Sequence, residues 1–212
     1  MGKKMNLEGK IINIIGDSIT RGALASAEEY KYIRVLEQLS GATVVEWAKS
    51  GTRIAKQIKA TNSKYDQDFL SRIDIMDNHC DIVIMFGGTN DFGHGNAEIG
   101  KKGDTDPYTF YGGMENLTNY LLSTYGKEKV CFLLPLRRAV EERADGRTLL
   151  DYVEVIKEVL IEKGIDYLDF YDNGLPKPIS TQPDEYFADG LHPNDAGHDW
   201  VAEQVANYLK NK

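Results

Sequence analysis

Apolar and polar positions along this chain alternate between two kinds of segment. Five short stretches, 11–15, 43–47, 81–86, 130–134 and 166–170, are dominated by apolar and β-branched residues and are closed by turn residues. Stretches of that length predict strands, and those apolar throughout predict strands covered on both faces. Between them apolar residues recur every three or four positions, the period of a helix with one buried stripe. Tyr32, Leu36 and Leu39 form one such stripe; Phe110, Met114, Leu117 and Leu121 a second; Leu149, Val153, Ile156 and Leu160 a third; Trp200, Val201, Val205 and Leu209 a fourth. Ser26-Ala27-Glu28-Glu29 and Thr148-Leu149-Leu150-Asp151 carry capping patterns, Asp106-Pro107 supplies an N-cap and first-turn pair, and the last helix starts near Asn194. Gly41, Gly126 and Gly164 are placed to close helices. Polar helical stretches are expected from the small-residue turn at 48–52 to about Asn78, and 92–105 and 171–193 read as long connections.

Strands alternating with helices predict a five-stranded parallel sheet with helices on both faces, joined by right-handed crossovers. All strands then point one way, so the segments leaving them share one edge, where chemistry gathers in open α/β sheets. Ser18, Gly51, Asn90 and the loop carrying His192 become neighbours although far apart in sequence.

Bulk properties narrow the function. At 212 residues the chain is long enough for one α/β domain spanning 1–212, and it has no linker, fixed-period repeat or low-complexity run. A net charge of −8 argues against nucleic acid, whose binding rests on Lys and Arg neutralising phosphates. The longest apolar runs are strand-sized, which excludes an integral membrane span. The basic start at Lys3 and Lys4 lacks a following apolar stretch, so cytoplasmic residence is the default expectation. Cys80 and Cys131 fit small buried thiols and make no disulfide framework.

Acyl transfer by serine needs a nucleophile, a base, a group that orients the base, and donors for the oxyanion. The predicted edge offers each. Ser18 follows strand one in Gly16-Asp17-Ser18, a sequence that also serves simply to leave a strand and begin a turn. His192 is the base, and Asp189, three residues earlier with Gly190 between, can accept its Nδ1 proton and leave Nε2 facing Ser18. Gly51 and Ser18 offer backbone N–H groups and Asn90 a side-chain amide.

The ordered blocks Gly16-Asp17-Ser18-Ile19, Ser50-Gly51, Gly88-Thr89-Asn90-Asp91 and Asp189-Gly190-Leu191-His192-Pro193 resemble the SGNH hydrolases, also called the GDSL family of lipases and esterases. The blocks span nearly the whole chain. The resemblance implies that Ser18, Gly51, Asn90 and His192 are catalytic, with Asp189 as third triad member. It also implies a flavodoxin-like three-layer α/β/α sandwich, no cofactor, and substrates among acyl lipids, thioesters and O-acetylated sugars. The second block of the family often begins with asparagine, where this chain has Glu46.

Other polar residues carry two readings. Asp17 and Asp91 adjoin the candidate site and are expected to hold turns through backbone N–H groups. His94 lies where it can touch substrate or stand in solvent; His79 is expected to be structural, and His198 to lie on an exposed or flanking face of the last helix. Arg137 or Arg138 can reach a charged or sugar substrate, or pair with Glu141 or Glu142. No spacing matches a metal site, and no glycine pattern matches a nucleotide loop. The expectation is a serine esterase for short acyl groups, acetyl esters of carbohydrates among them. The alternatives are a lysophospholipase or thioesterase lined by residues such as Ile54, Leu136, Tyr186 and Phe187, or a non-catalytic binding protein. The acidic surface and many tyrosines permit a homo-oligomer.

Overall fold

The structure, a computed structural model, describes residues 5–58 and 67–212. Strands β1 (Ile11–Gly16), β2 (Thr43–Ala48), β3 (Ile82–Phe86), β4 (Val130–Leu133) and β5 (Asp166–Leu168) form one parallel sheet in the order β2-β1-β3-β4-β5. This is the flavodoxin-like order, with its switch point between β1 and β3, and open α/β sheets bind their ligands beyond the carboxyl ends at such a point. Around the sheet lie α1 (Tyr32–Ser40), α2 (Thr89–His94), α3 (Phe110–Tyr125), α4 (Leu149–Lys163), α5 (Phe170–Asn173) and α6 (Asp195–Asn211).

Strand side chains alternate between two cores, which is why the strands are apolar throughout. Ile12, Ile14, Ile82, Ile84, Phe86, Cys131 and Leu133 pack with Tyr32, Ile33 and Leu36 of α1 and Val201, Val205 and Leu209 of α6. Ile15, Val83, Met85, Val130 and Phe132 face the other way, against Met114, Leu117 and Leu121 of α3 and Val153, Ile156 and Leu160 of α4. The polar member of β1, Asn13, is fully buried; its amide donates to the Asp77 carbonyl at 2.5 Å and accepts from the Trp47 indole at 3.2 Å. Both cysteines are free and buried.

Helix starts are where sequence and structure part. Thr148 caps α4 through the full reciprocal pattern with Asp151, as expected. Ser26 does not open a helix: its hydroxyl and N–H both bind the Asp195 carboxylate, at 2.6 and 2.8 Å, tying it to the start of α6. Only a 3-10 turn at Glu28–Tyr30 follows before α1. Likewise Thr109, not Asp106, caps α3, accepting from the Gly112 N–H at 3.0 Å, while Asp106 holds the preceding turn through the Tyr108 N–H. The fifth strand stops at Leu168, because the Asp169 carboxylate caps α5 and turns Phe170 into a helix. Leu39 is 44% exposed, and Trp200 is half-buried against Phe170. Among the described residues of the stretch expected to be helical up to Asn78, the structure has only the 3-10 turn Ile73–Ile75; the expectation for 59–66 lies outside the described residues.

Candidate active site

β1 delivers Ser18 through a tight elbow. A Cβ on Gly16 would sit 1.9 Å from Thr20 Oγ1, so only glycine lets the chain fold back there. The Asp17 carboxylate accepts from the Ile19 N–H at 2.9 Å, the Ala23 N–H donates to the Ser18 carbonyl at 2.9 Å, and Thr20 Oγ1 lies 3.0 Å from Tyr32 Oη. Arg72 braces the elbow from below, its guanidinium donating to the Gly16 carbonyl at 2.7 Å and to the Trp47 carbonyl. It joins the carboxyl ends of β1 and β2, and it lies in a stretch whose pattern carries no signal for that role.

His192 arrives from the opposite side. Its Nε2 lies 3.0 Å from Ser18 Oγ and its Nδ1 2.8 Å from Asp189 Oδ2. The other Asp189 oxygen accepts from the Leu191 and His192 N–H groups at 3.0 and 2.7 Å. Partial burial opposes ionisation of Asp189, but the bonds from the His192 N–H and ring and its charge, with the Leu191 N–H, outweigh it and hold the carboxyl below its ordinary range. A carboxylate that accepts from Nδ1–H leaves the Nε2 lone pair toward the hydroxyl, the arrangement a base requires.

The third side is the first turn of α2. Asn90 is buried, with Nδ2 3.1 Å from the Thr52 carbonyl and 3.2 Å from Asp17 Oδ2, and Oδ1 3.0 Å from His94 Nε2. Gly51, next to Thr52, is buried at φ +78°, a backbone conformation that favours glycine. Asp91 reaches back to the same turn, accepting from the Ile54 N–H at 2.8 Å and the Ala55 N–H at 2.9 Å. Burial raises the Asp17 carboxyl to about 6, against the Ile19 N–H and the charges of His192 and Arg72. Burial also raises that of Asp91 to about 7, against the Ile54 and Ala55 N–H groups. Both aspartates hold turns, as expected of them.

The remaining polar residues divide. His94 is the last residue of α2 and is engaged by Asn90 and by Arg53, whose Nε and Nη2 lie 3.1 and 2.6 Å from its Nδ1. Arg137 takes the second of its two readings, a bidentate pair with Glu141 at 2.7 Å, stacked 4.5 Å over the Tyr171 ring. Arg138 donates to Thr89 at 3.2 Å and lies over Phe92, supporting α2. His198 departs from expectation: it is fully buried against Tyr32, whose N–H donates to its Nδ1 at 3.4 Å. The tight turn at 24–31 lays Tyr32 over that face of α6, which periodicity of the helix alone does not reveal. Among the described residues no group of three His, Cys, Asp or Glu side chains is placed to hold a metal ion. Likewise no helix there is long and apolar enough to cross a membrane.

The structure thus brings a serine, an imidazole and a carboxylate into line at the carboxyl edge of a parallel flavodoxin-like sheet, the set of groups that acyl transfer by serine requires. The sequence matches the GDSL-like lipase/acylhydrolase family over residues 14–200, and the chain belongs to that family. A Lactobacillus plantarum protein of known structure is 25% identical, over 95% of this chain and 97% of its own, with a TM-score of 0.79. A lipase/acylhydrolase from Enterococcus faecalis is 20% identical over 95% of each chain with a TM-score of 0.67. An acetyl xylan esterase is 19% identical over 94% of this chain and 99% of its own, also at 0.67. At those last two identities the likeness establishes the fold and nothing finer. No curated protein matches the chain.

Proposed function

We propose that the protein is a serine esterase that hydrolyses short-chain acyl esters, acetyl esters of carbohydrates foremost, through an acyl-enzyme on Ser18. The observation that carries this reading is the unbroken line from Ser18 Oγ to His192 Nε2 at 3.0 Å and from His192 Nδ1 to Asp189 at 2.8 Å. His192 takes the hydroxyl proton as Ser18 attacks the ester carbonyl, and Asp189 stabilises the imidazolium that forms. The developing oxyanion is met by the Asn90 amide and the backbone N–H groups of Ser18 and Gly51. Collapse releases the alcohol with the proton from His192, and water activated by the same imidazole releases the acid. One amide N–H of Asn90 is directed at Thr52; the other, 3.2 Å from Asp17, is the one the substrate oxygen takes over.

The preference for short acyl groups rests on burial. Ile54, Leu136 and Phe187, three residues that a long acyl chain would need as lining, are at most 2% exposed and packed in the two cores. No metal or cofactor enters this reading.

Intact mass after treatment with a small fluorophosphonate, on wild type and Ser18→Ala, tests the nucleophile. A single adduct absent from the variant is expected; no adduct on the folded wild type overturns the reading and favours a binding role. Rates on acetyl and octanoyl p-nitrophenyl esters test chain length. Faster octanoyl turnover would make the lysophospholipase or thioesterase alternative the better account.

A further inference from the structure

Asn90 can serve as an oxyanion donor only with its nitrogen, not its oxygen, toward the substrate. An amide is nearly symmetric in shape, so something chemical must fix which end points where. On one side the Thr52 carbonyl and the Asp17 carboxylate accept from Nδ2, at 3.1 and 3.2 Å. The other side is governed by a residue that lies well outside the reaction. Arg53 is fully buried, and its guanidinium, which has donors and no acceptor, meets His94 Nδ1 with Nε at 3.1 Å and Nη2 at 2.6 Å. His94 Nδ1 must therefore accept. In the neutral ring the proton then sits on Nε2, 3.0 Å from Asn90 Oδ1.

We infer that Arg53 and His94 are positioning residues that fix the tautomer of His94 and, through it, the orientation of the Asn90 amide at the oxyanion site. This rests on the reading of Asn90 given above. His94, an exposed residue at the end of α2, thus acts through Asn90 and not by binding substrate. Arg53 is itself anchored by backbone pairing with the 67–69 segment, its N–H donating to the Gln67 carbonyl at 3.1 Å and its carbonyl accepting from the Phe69 N–H at 2.9 Å.

Two measurements test the inference. In long-range 1H–15N spectra of the histidine-labelled wild-type protein, with the His94 signal assigned by its absence from His94→Ala, the expected pattern is a bare Nδ1 and a protonated Nε2. A protonated Nδ1 overturns the inference. In a double-mutant cycle on acetyl ester hydrolysis, His94→Ala is expected to lower kcat about 10- to 100-fold with KM changed less than about twofold, the scale of loss when a reacting group is misplaced. In an Asn90→Ala background the same substitution should cost nothing further, since its effect passes through the missing amide. Equal losses in both backgrounds, or a wild-type kcat in His94→Ala beside a slow Asn90→Ala, overturn the inference while leaving Asn90 as donor. A wild-type kcat in Asn90→Ala overturns the reading of Asn90 itself, and the relay loses its catalytic meaning with it.

Discussion

The two sides of the candidate site are built by different means. On the base side, Asp189 and His192 stand three residues apart, and the carboxylate that orients the ring also accepts the two N–H groups of its own turn, so one short loop carries both the group and its support. On the oxyanion side, Asn90 is held by Thr52, Asp17 and His94, and the turn that carries Gly51 is held by Asp91 and Arg72, contacts that span up to 73 residues of sequence. The base side is partly exposed and its carboxyl is held below its ordinary range; the oxyanion side is buried apart from His94, and its carboxyls are pushed above theirs. A base that must move protons to and from solvent tolerates a wet, local support. A donor aimed at a charge that exists only in transit gains from a dry, rigid one.

Substitutions at the centre should make the largest difference. Ser18→Ala removes the hydroxyl that both sides serve, and kcat for acetyl ester hydrolysis should fall by about 10⁴- to 10⁶-fold with the melting temperature unchanged. Asp189→Asn should follow at about 10³- to 10⁴-fold. The amide oxygen can still accept from the Leu191 and His192 N–H groups, so the turn survives, but its NH2 group faces Nδ1 and leaves Nε2 carrying a proton toward Ser18. A well-folded Asp189→Asn with more than a tenth of wild-type kcat would remove Asp189 from the base side. Asn90→Ala, on the other side, should cost about 100- to 1,000-fold.

Asp91→Ala separates the two constructions by stability. It leaves the buried Ile54 and Ala55 N–H groups without their acceptor, at roughly 1 to 3 kcal/mol each. For a chain of this length the melting temperature should drop by roughly 5 to 20 °C, with kcat lowered as well because the Gly51 turn loosens. No base-side substitution should unfold the protein comparably. A thermally unchanged Asp91→Ala would show that the turn holds without it.

The same contrast explains what was legible in the sequence. The strands, their shared direction and the Asp189-Gly190-Leu191-His192 turn are set by local pattern, and each was readable. Asp91 and Asp17 were readable as turn-holders without their targets. Arg53, Arg72 and the engagement of His94 were not readable, because nothing local distinguishes an arginine that crosses the core from one in solvent. Ser26 and Asp106 show the converse: sound local capping signals lost to a better partner, Asp195, or to a better-placed neighbour, Thr109.

His198 lies on neither side, and for that reason it can separate the pH dependence of stability from that of chemistry. Burial lowers its pKa from 6.5 to about 4, opposed by Asp195 and the Ala23 backbone and assisted by the charges of His192 and Lys31. Between those values the unfolded chain binds a proton that the folded form refuses, so the stability associated with this group is whole above pH 6.5 and is lost as pH falls toward 4. The buried carboxyls have the opposite sign: with pKa values raised from 3.8 to about 6 and about 7, Asp17 and Asp91 favour the fold at low pH and lose that contribution as pH rises through those values. The two trends partly cancel in the wild type. His198→Phe keeps a ring against Tyr32, gives up the acceptor of the Tyr32 N–H equally at every pH, and removes the first trend, so its melting temperature should approach or exceed that of the wild type as pH falls from 7 to 4. The relative shift should be roughly 3 kcal/mol, or about 6 to 12 °C. The pH profile of kcat should be unchanged, since the proposed base is His192 and not His198. Parallel melting curves would show that His198 is protonated without cost, with the Asp195 carboxylate offsetting its burial.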